Sequence, residues 1–267
     1  MKKNSFTLIE MLVVIGIIGI LAAMVMPALG AARASGQKTD CINNKKQLVT
    51  SMIAYSTDND NAMIYRGYNS NKVCTYADVL TGLSGNTINY RAYLAPKLFM
   101  CSAAKNKFNT KADNVGTNAT GMINAVGAVK LDDDGSNTGG WLNNSTKKRY
   151  STFGRFAKIT DKNIVYYTDR MKAGGSNLLL FADTFARDDG GAVSYWNFTP
   201  DGASAGSYTD DDGSKNGNFY VTLIHNGMTV GAFADGHADG LDAGKLKDTG
   251  NVTNFNDEEF AKDKLSD

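Results

Sequence analysis

The chain has 267 residues, with 28 Lys and Arg against 27 Asp and Glu, so it carries no one-signed field of the kind that marks a partner of nucleic acid or anionic lipid. Three prolines against 28 glycines predict many tight turns and few rigid linkers. No Gly-x-Ser-x-Gly elbow, phosphate-binding glycine loop or His-Glu-x-x-His occurs, and a triad would have to draw on only two histidines, so the motifs support no enzyme.

At the N-terminus, Lys2 and Lys3 precede Phe6-Thr7-Leu8-Ile9-Glu10, and residues 11–32 are all uncharged. As a helix these twenty-two residues would be roughly 33 Å long, enough to span a bilayer. The run exceeds the apolar core of about 7–15 residues that a secretory signal peptide carries. Lys2 and Lys3 place the N-terminus in the cytoplasm and everything after Ala32 outside it, by the positive-inside rule. Glu10 is the anomaly. An ionised side chain at bilayer depth costs on the order of 2.5–3.5 kcal/mol, which predicts a partner charge in the membrane.

Residues 1–58 resemble the class III, or type IV prepilin, signal. In that family a membrane peptidase cuts before the Phe-Thr-Leu-Ile-Glu run and N-methylates the new terminus. The resemblance implies a cut between Ser5 and Phe6, N-methylation of Phe6, and an assembly role for Glu10, paired with the terminal amine of a neighbouring subunit. Pro27 falls at the twenty-second mature position, where such pilins often carry a helix-kinking proline. Ser5 stands where the family usually has Gly. The implied function is a structural subunit, a pilin or pseudopilin of a type IV pilus-like or type II secretion filament. Its implied partners are prepilin peptidase, an inner-membrane assembly platform and copies of itself in a homo-oligomeric filament, with a single-pass inner-membrane location before assembly.

Past the membrane the helix is predicted to continue to about Ser56. Cys41, Ile42, Lys45, Leu48, Val49, Met52, Ile53 and Tyr55 form a stripe at three- and four-residue spacing. Gly36 weakens the helix by about 1 kcal/mol relative to Ala, and Asp58-Asn59-Asp60-Asn61 ends it with turn formers. The organisation is thus a leader at 1–5, a membrane half at 6–32, an amphipathic half at 33–58 and a globular head at 59–267. About 200 residues suffice for one sizeable core.

Within the head, 76–83 and 90–94 read as short helical pieces and 98–101 as a short apolar segment. Strands are predicted at 163–168, 177–183, 219–225 and 228–235, which are rich in β-branched and aromatic residues and bounded by Gly, Asn and Asp. The fold class is α+β: a long N-terminal helix packed on an antiparallel β-sheet head.

His225 followed nine residues later by Asp235-Gly236 resembles the prepilin-associated His-x9-Asp-Gly domain, with support from Cys41-Ile42-Asn43-Asn44, Gln47-Leu48, Tyr93-Leu94 and Cys101. Ser102 stands where that family often has Pro. Asn226-Gly227 predicts a two-residue type I′ hairpin turn that pairs His225 with Met228, Leu223 with Val230 and Phe219 with Ala234. Asp235 then lies roughly 23 Å from the turn and on the opposite face from His225, so the signature reads as a structural device. A smaller zinc set of Asp235, His237 and Asp239 stays open. Calcium is the only cofactor the sequence suggests. Asp210, Asp212, Ser214 and Asn216 offer clustered oxygen ligands, as do residues 132–137, although neither loop has the EF-hand pattern and a solvated turn is the alternative.

Three cysteines outside the cytoplasm allow one disulfide and a leftover thiol. Cys74 with Cys101 would close an intermediate loop. Cys41 with Cys101 would tie the helix to the head and is preferred, with free buried thiols as the alternative. A second functional reading is a membrane-tethered binding module for a glycan or surface ligand, with Tyr195, Trp196 and Phe198 as its aromatic contacts.

Overall fold

A single helix, α1, runs from Leu8 to Asp58, 51 residues, which makes it roughly 77 Å long. It starts where Thr7 takes extended backbone angles and forms a capping box with Glu10. Pro27 lies inside it and removes one main-chain donor. It ends where Asp60 and Asn61 take φ of 52° and 59°, left-handed angles that Asp and Asn tolerate better than most side chains. The Asn59 side chain donates to the Tyr55 carbonyl at 2.8 Å and closes the last turn.

The computed structural model describes residues 7–69, 72–82, 92–99, 101–103, 127–129, 140–141, 157–159, 164–167, 175–188, 191–194, 197–198, 220–248, 252, 254–256 and 262–264. Among these, three five-stranded sheets form the head. The first has the order β2-β1-β6-β5-β4, from β1 (Ala62–Asn69), β2 (Lys72–Thr75), β4 (Gly140–Trp141), β5 (Ala157–Ile159) and β6 (Ile164–Tyr167). The second is β10-β3-β7-β12-β13, from β3 (Gly127–Val129), β7 (Leu179–Ala182), β10 (Asn197–Phe198), β12 (Met228–Phe233) and β13 (Ala238–Asp242). The third is β15-β14-β11-β8-β9, from β8 (Thr184–Asp188), β9 (Gly191–Ser194), β11 (Tyr220–Thr222), β14 (Asn254–Asn256) and β15 (Lys262–Lys264). Pairing is antiparallel except between β3 and β10 and between β11 and β14, which are parallel.

The α+β class with a long N-terminal helix and antiparallel sheets is as the sequence predicts, but one sheet becomes three. The continuous apolar run of β7 explains part of this. All four of its residues are buried, so both of its faces are covered rather than one. Residues 92–94, expected to be helical, are not, because the Tyr93 and Leu94 amides both donate to the Leu80 carbonyl at the end of α2 (Tyr76–Thr81). The apolar piece at 98–101 begins in a 3-10 turn over Pro96–Phe99.

The predicted hairpin is corrected in the same way. Its turn forms, with φ of 52° at Asn226 and 75° at Gly227 and the His225 amide donating to the Met228 carbonyl at 2.8 Å. The ladder beyond it does not. β11 pairs with β8 and β14, while β12 pairs with β7 and β13, so the chain changes sheets through the buried residues Leu223 and Ile224. The Asp235-Gly236 step closes a different hairpin, β12–β13, with Gly236 at φ 95° and the Phe233 amide donating to the His237 carbonyl.

The core joins these layers. Leu48, Val49, Met52 and Tyr55 of α1 share one apolar cluster with Tyr76 and Leu80 of α2, Phe99, Leu179 and Phe181 of β7, and Phe233 of β12. Gly231 permits the closest approach in β12, since a Cβ there would meet Leu179 at 2.5 Å and Leu241 at 2.7 Å. The last helix, α3 (Ala243–Asp248), buries Leu246 against the same cluster.

Candidate functional site

Two places on α1 carry chemistry. The first is its N-terminal turn. Glu10 Oε2 accepts hydrogen bonds from the Thr7 amide at 2.8 Å and the Thr7 hydroxyl at 2.7 Å, and Thr7 Oγ1 accepts from the Glu10 amide at 3.3 Å. The carboxylate also sits at the positive end of the helix dipole. These local donors seat the Glu10 carboxylate at the start of the helix. The Thr-x-x-Glu spacing was the sequence signal for this local arrangement.

On either side of Glu10, the large apolar side chains between residues 8 and 29 are 45–81% exposed. This stretch is long and apolar enough to cross a membrane, and none of it is buried against the head. Pro27 lies within it. Ser5 and Phe6, at the expected cut, lie outside the described residues.

The second place is a buried group of five polar side chains where α1 enters the head. Lys45 is fully enclosed and pairs with Asp183, the residue that follows β7. The other Asp183 oxygen accepts from the Val230 amide at 3.2 Å and lies 3.8 Å from His225 Nε2. His225 Nε2 in turn lies 3.3 Å from Cys101 Sγ. Cys101 and Cys41 share a hydrogen bond of 2.6 Å, and no S–S bond joins them. The two cysteines rest in a small apolar cluster with Ala103, Ile224 and Val230, apart from the main core.

Electrostatics tie this group together. Burial pulls the Lys45 ammonium down, but Asp183 and the two cysteines outweigh it and leave its pKa above the ordinary value. The hydrogen bond with Cys101 lowers the Cys41 thiol to about 5 against the opposing effect of burial, with His225 and Lys45 assisting. The same hydrogen bond and burial push Cys101 up. Removing either charge of the Lys45–Asp183 pair would leave the other buried and unpaired.

The sequence places Cys41 and Lys45 on the buried stripe correctly, and both are there with Leu48, Val49, Met52 and Tyr55. It placed Asp183 at the end of a predicted strand but gave no sign that Asp183 meets Lys45, 138 residues away. Nor did it place the His225 side chain, which the hairpin reading left without a partner. His225 does not join Asp235, His237 and Asp239 in one metal set. His225 is buried beside Cys101 at one end of β12. Asp235 and His237 are exposed at the other end, 2.5 Å apart, with Phe233 stacked on the imidazole at 4.2 Å. Asp239 pairs with Lys245 at 3.1 Å. Among the described residues the one group of three side chains close enough to share a metal ion is Cys41, Cys101 and His225. The calcium ligands Asp210, Asp212, Ser214 and Asn216, residues 132–137, and the aromatic residues Tyr195 and Trp196 lie outside the described residues.

Neither a curated protein nor a solved structure matches the chain. Residues 1–26 match the prokaryotic N-terminal methylation motif. That motif marks a prepilin-type signal, processed by prepilin peptidase ahead of pilin-like assembly, and it points to a structural subunit anchored by one apolar helix.

Proposed function

We propose that this chain is a structural filament subunit, a pilin or pseudopilin of a type IV pilus-like or type II secretion filament. Prepilin peptidase cuts it between Ser5 and Phe6 and N-methylates Phe6. The observation that carries this reading is a coincidence of boundaries. The methylation motif covers residues 1–26, and α1 exposes its large apolar side chains from Leu8 to Leu29, while between Cys41 and Ser56 one face of it is buried in the head.

Such a surface needs a non-aqueous neighbour, because each large apolar side chain removed from water gains about 1.5–3 kcal/mol. The neighbour is lipid before assembly and the equivalent helices of other subunits after it. Moving from lipid to a helix bundle gains little hydrophobic energy, so packing and polar contacts decide the register. A single carboxylate is effective there. Glu10 exchanges its Thr7 donors for the terminal amine of the neighbouring subunit. Lys2 and Lys3 hold the N-terminus in the cytoplasm and leave the head outside, and the inner-membrane assembly platform extracts the processed subunit.

Glu10→Val is expected to abolish filaments in the sheared-surface fraction while the head stays folded and membrane-anchored. Mass spectrometry of the mature N-terminus should give N-methyl-Phe6. An intact Met1, or filaments at the wild-type level in the variant, would sink the proposal.

A further inference from the structure

We propose that Cys41 and Cys101 close as a disulfide that staples the buried half of α1 to the head. The two sulfurs are 2.6 Å apart although the residues are 60 positions apart in sequence. Both are buried, at 1% and 7% exposure, and they sit against Ala103, Ile224 and Val230. The link would therefore join α1 to the segment that follows the 3-10 turn. Cross-linking positions so distant in sequence removes much freedom from the unfolded chain.

A metal is the rival occupant, since His225 completes a set of three ligands. Two thiolates bound to one zinc at about 2.3 Å in tetrahedral geometry stand roughly 3.7 Å apart. The observed separation is well inside that and leaves no room for an ion between the sulfurs. The geometry favours the bond over the metal.

The chemistry is thiol–disulfide exchange with a protein or small-molecule disulfide. The Cys41 thiolate attacks one donor sulfur, the donor S–S bond breaks, and a mixed disulfide forms with release of one donor thiolate. Cys101, as its thiolate, then attacks Cys41 Sγ and releases the second donor sulfur. The two cysteines lose two electrons and two protons, and the donor gains both pairs as two thiols. Attack needs an approach that the folded head closes off, so the bond forms before residues 224–230 cover the pair. The oxidising compartment rests on the head lying outside the cytoplasm, as proposed above.

The test uses the full-length protein extracted from membranes with free thiols blocked by N-ethylmaleimide, then digested with trypsin without reduction. Peptides 39–45 and 98–105 are expected joined, with the maleimide on Cys74. Prior reduction should separate them. Maleimide on both Cys41 and Cys101, a link through Cys74, or one equivalent of zinc whose removal exposes both thiols would each overturn the staple. The same digest reports the N-terminus. Free thiols beside N-methyl-Phe6 would defeat the staple alone, whereas a joined pair beside a peptide that starts at Asn4, the tryptic product of an uncut leader, would support the staple and defeat the filament reading.

Discussion

The two halves of α1 share one helical geometry and each carries one charge out of keeping with its surroundings. In the exposed apolar half it is Glu10, satisfied by Thr7 three residues away. In the buried half it is Lys45, satisfied by Asp183 from across the fold. A charge whose partners are local keeps its contacts whatever surrounds the helix, and can exchange them for a stronger partner without disturbing the head. A charge held by tertiary contact is locked, because losing the partner strands an ion in a dry interior. The first arrangement suits a contact that forms on assembly. The second suits a joint that must not move.

The sharpest way to break this comparison is Lys45→Ala. It leaves Asp183 buried without its cation and should cost about 3–5 kcal/mol, read as a large drop in melting temperature of the detergent-solubilised full chain. A change below about 1 kcal/mol would mean that the pair is solvated in solution. Next come matched truncations in the two halves. Leu48→Ala should destabilise the head by about 2–5 kcal/mol, while Leu21→Ala should leave it within about 0.5 kcal/mol. Equal effects would show that the membrane half also packs on the head. Thr7→Ala should be milder still, about 1 kcal/mol at the helix start. Hydrogen exchange would show it as faster exchange in the first turn, with the head amides unchanged.

A separate test concerns the cysteines in the reduced chain. Thiolate absorbance at 240 nm should fall with a midpoint near pH 5 for Cys41, and return to the ordinary thiol range on unfolding. The sign follows from the lowered pKa. The folded state favours the thiolate, so this contribution to stability is complete above the unfolded thiol value and is lost as pH falls to about 5. A folded midpoint that stays near 9 would remove the Cys101 hydrogen bond, and with it the help of His225 and Lys45, as the stabilising contacts of the Cys41 thiolate.

Much of α1 was legible in advance because its signals are periodic or local. The spacing of Cys41, Lys45, Leu48, Val49, Met52 and Tyr55 marks one helix face, and residues 58–61 mark its end. Even the Thr7–Glu10 capping box was there to be read. The head was legible only in pieces. The Asn226-Gly227 turn forms as expected because two adjacent residues decide it. The ladder expected beyond it fails because β11 and β12 find better partners in β8, β14, β7 and β13. His225 illustrates the limit most clearly. Its backbone makes the predicted turn contact with Met228, yet its side chain belongs to a cluster drawn from four separate parts of the chain.

By itself the sequence determined the long helix, its apolar half and the prepilin-type signal, since each depends on residues within a few turns of one another. Only the tertiary structure decided that the described strands of the head form three sheets, that Lys45 meets Asp183, and that Cys41, Cys101 and His225 converge. Those contacts span 60 to 138 residues. Which distant strands bury each other's apolar faces is a competition among many pairings of similar local propensity, and it is settled by packing the whole core at once.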